Sequence, residues 1–178
     1  YLEANGMGNG IANDDSVLTS NINTVTILDI SAPPPLPFAI QLNGISDLTG
    51  IEDFLVLNYL NCQNNQLTNL DLSNNIALET LICPQNELTN LDLSNNSSLI
   101  YLDSFGNDLT SLNVSNSKFL EFLNTNANNL TSIDLSNNFA LEYLNISANN
   151  QLGNIDLSNN IALTNANLGA CGLNTLDV

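Results

Sequence analysis

The chain has 178 residues, 43% of them apolar, enough for one domain with a core of its own. It carries one Lys, no Arg, no His and 18 Asp plus Glu, for a net charge of −17. A single cation cannot neutralise a row of phosphates, which excludes nucleic-acid binding and argues against docking on an anionic membrane surface. Without His there is no Ser-His-Asp triad, no imidazole base and no imidazole metal ligand.

Residues 1–24, YLEANGMGNGIANDDSVLTSNINT, hold Gly6, Gly8 and Gly10 within five positions and precede any periodic pattern. The segment begins at Tyr1, without an initiator Met or a signal-peptide pattern, as expected of a piece cut from a longer precursor. Over residues 25–56 the apolar residues Val25, Leu28, Ile30, Ile45, Leu48, Ile51 and Phe54 form a degenerate first coil. Inside it, SAPPPLPFAIQLN (about 32–44) is an insertion. Three consecutive prolines cannot join a hydrogen-bond ladder, so this piece is expected to loop out in extended form, as a contact loop or a tolerated surface insertion.

From Leu57 to Val178 the chain repeats the pattern L-x-x-L-x-x-x-x-N-x-L-x-x-L-D-L-S-N-N-x-x. Copies begin at Leu57, Leu78, Leu99, Leu120 and Leu141, each 21 residues after the last; one extra residue near Gln151 puts the sixth at Leu163. The chain stops in the middle of that last copy. A fixed period of this length marks a solenoid, in which each coil buries its apolar edge only against its neighbours. Leu at motif positions 1, 4 and 11, the residue at position 6, and the apolar residues at 14 and 16 point inward. No window holds a long helical period, so two strand-bearing walls with little helix are expected.

The hallmark runs LNYLNCQNNQL, LETLICPQNEL and LEYLNISANNQL resemble the leucine-rich repeat family, and more narrowly its 21-residue bacterial class with nested half-repeats, sometimes called IRREKO. The resemblance implies a mostly parallel-β leucine-rich repeat solenoid. It also implies an N-terminal cap over 1–24, in which YLEAN is the last turn of a helix ended by Gly6, as in exported surface proteins of Gram-negative bacteria. It sets architecture rather than activity.

Asn65, Asn86, Asn107, Asn128 and Asn149 recur at position 9, followed by Cys171; position 19 reads Asn75, Asn96, Ser117, Asn138 and Asn160. A buried amide offers two donors and two acceptor lone pairs, so these are read as structural ladders that satisfy turn backbone. Cys62 and Cys83 share position 6 of adjacent coils and are read as buried free thiols, since in-register parallel strands fit disulfide geometry poorly and no cation is present to activate a thiol.

The outward positions 3, 5, 7 and 8 of the hallmark strand carry the binding candidates: Tyr59, Tyr101, Phe122 and Tyr143 at position 3, Asn61, Ile82, Asp103, Asn124 and Asn145 at position 5, and Phe105 at position 7. An aromatic stripe flanked by amides suits a protein or glycan ligand, while stacked aromatics also stabilise neighbouring strands without any ligand. Position 15 repeats carboxylates at Asp71, Asp92, Asp134 and Asp156. Their mutual repulsion calls for local D-x-S hydrogen bonds and salt screening, with calcium as the alternative bridge and no other cofactor expected. Glu79, Glu121 and Glu142 keep to position 2 too regularly for a catalytic pair.

These features point to a non-catalytic, extracellular or cell-surface binding and adhesion module for a protein or glycan. The alternatives are a stalk-like spacer and, third, an enzyme domain acting on polysaccharide. No membrane insertion is expected, and the truncated C-terminal edge is a candidate for self-association.

Overall fold

The computed structural model describes residues 22–31 and 44–178. The expected cap up to residue 21 and the insertion over 32–43 lie outside the described residues. Apart from Ile22, which is helical, regular structure among the described residues consists of three-residue strands, numbered here in chain order, and one 3-10 turn at Ile51–Asp53. Among the described residues no helix is long and apolar enough to cross a membrane.

The first wall is a seven-stranded parallel sheet: β1 (Ile27–Asp29), β2 (Tyr59–Asn61), β3 (Thr80–Ile82), β5 (Tyr101–Asp103), β7 (Phe122–Asn124), β8 (Tyr143–Asn145) and β10 (Asn165–Asn167). Register follows the repeat, so Tyr59 lies beside Thr80, Thr80 beside Tyr101, Tyr101 beside Phe122 and Phe122 beside Tyr143. β1 pairs with β2 through Leu28 opposite Leu60, which makes Ile27–Asp29 the first strand of the same wall. The second wall is interrupted. Among the described residues it holds the pairs β4 (Asn90–Asp92) with β6 (Ser111–Asn113) and β9 (Asn154–Asp156) with β11 (Thr175–Asp177). Side chains help join coils there: the exposed amides of Asn95, Asn116 and Asn137 donate to the carbonyls of Ser73, Ser94 and Ser115 one coil back.

The strands β2, β3, β5, β7, β8 and β10 each end three residues before a tight turn, and the backbone shows why. Every residue at position 8 has a positive φ: Asn64 59°, Gln85 54°, Gly106 64°, Ala127 52°, Ala148 56° and Ala170 54°. Expected as an outward strand position, it is instead the left-handed corner that turns the coil. For an L-residue that corner costs about 1–2 kcal/mol. The coils hold it with backbone bonds such as Ala127 N–H to the Ser147 carbonyl at 2.9 Å.

The interior is a column of leucine. The Leu side chains at positions 1, 4 and 11 of the first four copies are fully buried, each worth about 1.5–3 kcal/mol relative to exposure. Cys62, Cys83, Ser104, Thr125 and Ile146 fill position 6, also buried. In the sixth coil Leu176 and Val178, at the inward positions 14 and 16, are 48% and 84% exposed.

Both asparagine ladders are buried, with different chemistry. At position 9 every Asn is saturated. Asn107 Oδ1 accepts the Leu88 N–H (3.0 Å), and its Nδ2 donates to the carbonyls of Cys83 (3.0 Å) and Ser104 (3.1 Å). Asn65, Asn86, Asn128 and Asn149 repeat this arrangement. At position 19 the amide nitrogens donate twice, as Asn96 does to Leu72 and Asn75, but the side-chain oxygens of Asn75, Asn96, Asn138 and Asn160 find no partner among the described residues. Under-satisfied carbonyl oxygens are tolerated more readily than orphaned N–H groups.

Where Cys171 replaces the ladder Asn, its thiol donates to the Ile146 carbonyl (3.1 Å). A thiol has no amide oxygen to offer, and the Leu152 N–H bonds the backbone carbonyls of Asn149 (3.1 Å) and Cys171 (3.2 Å) instead. The extra residue of the fifth copy lies in this segment, between Asn149 and Leu152. The insertion and the Cys thus belong together.

Candidate functional site

The outer face of the seven-stranded sheet gathers the position-3 residues into one file. Tyr59, Tyr101, Phe122 and Tyr143 are half-buried and share that face. Tyr101 and Phe122 stack with centroids 4.3 Å apart, and Phe122 and Tyr143 at 4.5 Å, both pairs within 4° of parallel. The spacing of adjacent strands, about 4.8 Å, sets this distance. Both faces of the Phe122 ring are therefore covered, and the file presents ring edges and tyrosine hydroxyls outward. Ring edges offer apolar contact area; the open ring face that stacks on a sugar is missing at the centre of the file.

Position 5 lies beside the aromatics, and its polar side chains are already engaged. The Oδ1 atoms of Asn61, Asp103, Asn124, Asn145 and Asn167 each accept the N–H two residues on, at 3.2–3.5 Å. These bonds close the turn after each strand. Asn61, expected to face outward, is only 7% exposed and also serves Asp29. Ile82 and Phe105 are half-exposed apolar neighbours. Asp29 on β1 and Asp103 are the carboxylates at position 5 among the described residues. Burial pushes Asp103 above its ordinary value, against the Phe105 N–H and the Asn124 amide (3.0 Å), which both favour the charged form. Burial, and then the Asp103 charge, raise Tyr101 as well.

The position-15 carboxylates use the same turn on the other wall. Asp71, Asp92, Asp134 and Asp156 accept the N–H of Ser73, Ser94, Ser136 and Ser158 at 2.9–3.0 Å. Their serines hold Asp71, Asp134 and Asp156 below the usual carboxylate range. Among the described residues no three carboxylates or thiols converge into a group able to hold a metal ion. A polar groove lined in part by Asp47, Glu52 and Asp71 lies at the first coil, with each carboxylate tied into its own turn. Cys62, Cys83 and Cys171 are free and buried. Burial pushes Cys62 up to about 12 and Cys83 well above its ordinary value, which leaves neither as a thiolate nucleophile.

No family model matches the chain, and no curated protein matches it. Solved structures do. The functional domain of InlJ from Listeria monocytogenes, which includes a cysteine ladder, is similar over 86% of this chain with a TM-score of 0.78 and 35% identity, a match covering 32% of that chain. An internalin from the same organism, InlF, is similar over 89% (TM-score 0.68, 20% identity, 49% of that chain). A leucine-rich repeat protein of Leptospira interrogans is similar over 73% (TM-score 0.57, 21% identity, 41% of that chain). The last two share the fold alone. The present chain spans about a third to a half of the length of these three structures, and its own stacked thiols stop at Cys62 and Cys83, followed by Ser104, Thr125 and Ile146.

Proposed function

We propose that this chain, a member of the leucine-rich repeat family with a 21-residue period, is a non-catalytic module of an exported adhesion protein that binds a protein ligand along the outer face of its seven-stranded sheet. The single observation that carries the reading is the continuous file of Tyr101, Phe122 and Tyr143, with Tyr59 further along it. Aromatic edges bordered by Ile82 and Phe105 supply apolar area with little rotamer entropy to lose, which is what a protein interface uses. The stacked arrangement favours a protein over a glycan, because sugar rings need an uncovered ring face. An extracellular setting is supported by the likeness of the motif to exported bacterial repeats and by an acidic surface suited to saline surroundings.

A second reading rests on the same stack. Rings held 4.3–4.5 Å apart stabilise neighbouring coils by themselves, as a rigid spacer would require. Peptide and glycan arrays probed with the chain and with its Tyr101→Ala, Phe122→Ala double variant separate the two. The expected result is peptide capture that falls at least about tenfold in the variant, a loss of about 1.4 kcal/mol or more. Each lost stack also lowers stability, by about 0.5–1.5 kcal/mol. Capture unchanged in the variant makes the file structural, and capture of glycans in preference to peptides overturns the ring-face argument.

A further inference from the structure

The edge of the solenoid just before the first-wall strands carries a second row that the proposed site does not use. The turn after the position-19 ladder ends in positions 20 and 21, followed by positions 1 and 2 of the next copy. In that short stretch each coil exposes at least one large apolar side chain: Leu55 with Val56, then Ile76, Ile100, Phe119, Phe139 and Ile161, between 37% (Ile100) and 89% (Ile161) exposed. Their alignment is fixed on both sides. The position-19 amides bind coil to coil, Asn96 to the Asn75 carbonyl (2.9 Å) and Asn160 to the Asn138 carbonyl (2.9 Å). At position 2, Glu121 N–H donates to Ile100 and Glu142 N–H to Glu121 (2.9 Å each). Leu55, Ile76, Phe119, Phe139 and Ile161 lie between these rows, while Ile100 lies in the position-2 row itself, its N–H on the Glu79 carbonyl (2.8 Å); together they form an apolar ridge along the axis. A contiguous exposed apolar row on a soluble domain marks an interaction surface, unlike apolar residues scattered singly.

We infer that this ridge docks a basic amphipathic α-helix of a partner protein, laid along the solenoid axis. Charge selects the sign. Exposed Glu79, Glu121 and Glu142 border the ridge, and the chain offers one cation against 18 acidic residues. A second copy, also carrying −17, is repelled along its whole length. Spacing selects the helix. Coils repeat about every 4.8 Å and a helix advances about 5.4 Å per turn, so one apolar residue per turn stays within reach of one ridge residue per coil. An extended strand, whose like-facing residues recur about every 6.6 Å, falls out of step within two coils. A polyproline helix, at about 9.3 Å per turn, meets only every second coil. Five intervals from Leu55 to Ile161 span about 24 Å, the length of about 16 helical residues.

The probe is a synthetic 18-residue helical peptide with Leu at i, i+3, i+4 and i+7 and Lys along both flanks, titrated by fluorescence anisotropy against the chain. Controls are the same peptide with Glu flanks and the triple variant Ile76→Ser, Phe119→Ser, Phe139→Ser, whose sites are solvent-exposed. Expected are binding of the Lys peptide that weakens with salt, at least a tenfold loss in the triple variant with an unchanged melting temperature, and retention of binding by Tyr101→Ala, Phe122→Ala. The last arm keeps this surface distinguishable from the aromatic file. No binding to the unaltered chain, equal binding of the Glu peptide, or full binding by the triple variant overturns the inference. Concentration-dependent dimerisation that the triple variant abolishes assigns the ridge to a second copy and likewise overturns it.

Discussion

Removing one rung of the position-9 ladder, Asn107→Ala, tests whether buried amides hold the coils together. The side chain makes three bonds, and the truncation affects them unequally. The carbonyls of Cys83 and Ser104 keep the amides of Asn86 (3.2 Å) and Asn128 (3.1 Å), so losing the two donor bonds costs about 0.5 kcal/mol each. The buried Leu88 N–H bonds only Asn107 Oδ1, and orphaning it costs about 1–3 kcal/mol. The sum is about 3 kcal/mol, a large part of a typical stability of about 5–15 kcal/mol, and it lowers the melting temperature by about 6–12 °C. The control is Asn116→Ala, another coil-bridging Asn with one bond (2.8 Å, to Ser94) but exposed to water; it should cost below about 1 kcal/mol. Urea unfolding followed by circular dichroism measures both. Asn107→Cys should be nearly as damaging as Asn107→Ala, because the thiol restores a donor but no acceptor, and this coil lacks the extra residue that accompanies Cys171. If Asn107→Ala unfolds within about 0.5 kcal/mol of Asn116→Ala, the reasoning from orphaned backbone donors is wrong.

Asp103→Asn should stabilise the fold at pH 7. Burial raises the folded-state carboxyl above its unfolded value, so the destabilising effect of its charge appears as pH rises through the folded pKa and is absent in acid. Asn keeps the turn acceptor, as at Asn124 and Asn145, and melting curves should show the gain at pH 7 vanish near pH 3; an equal gain at both refutes the cause. Asp71, Asp134 and Asp156 have the opposite sign: held low by their serines, they contribute stability above the usual carboxylate range that is lost as pH falls through their folded pKa. Ala127→Gly relieves the left-handed corner, and after the extra chain entropy of Gly should raise stability by up to about 1 kcal/mol. The reverse change Gly106→Ala should lower stability by about 1 kcal/mol or more and push the Gln85 side chain aside; opposite signs would refute the strain argument. Calcium at millimolar concentration, compared with magnesium at matched ionic strength, should leave the melting temperature unchanged, whereas a site filled at a hundred times its Kd would add about 2.7 kcal/mol.

The solenoid was legible because its rule is local and repeats: a leucine column needs the same residue at the same place in every turn. The parallel register, the buried free thiols at Cys62 and Cys83 and the alignment of Tyr59, Tyr101, Phe122 and Tyr143 all follow from that spacing. The ridge was open to the same reading, since Ile76, Phe119, Phe139 and Ile161 break otherwise polar turns and Ile100 breaks the row of Glu at position 2. Other features had no signal in one dimension. Nothing in the residue identities distinguishes saturated Asn107 from Asn96, whose side-chain oxygen is left without a partner, because both sit in polar turns of similar composition. Nor do Asn124 and Asn145 announce that their oxygens already close turns rather than await a ligand.

By itself the sequence determined the period, the inward and outward sides of each coil and the excess of negative charge, since these depend on the order and type of side chains. Only the tertiary structure decided which polar atoms are spent and which aromatic faces are covered. Those depend on atoms 21 or more residues apart being brought within about 3–5 Å, a distance that stacking of coils sets and no single repeat contains.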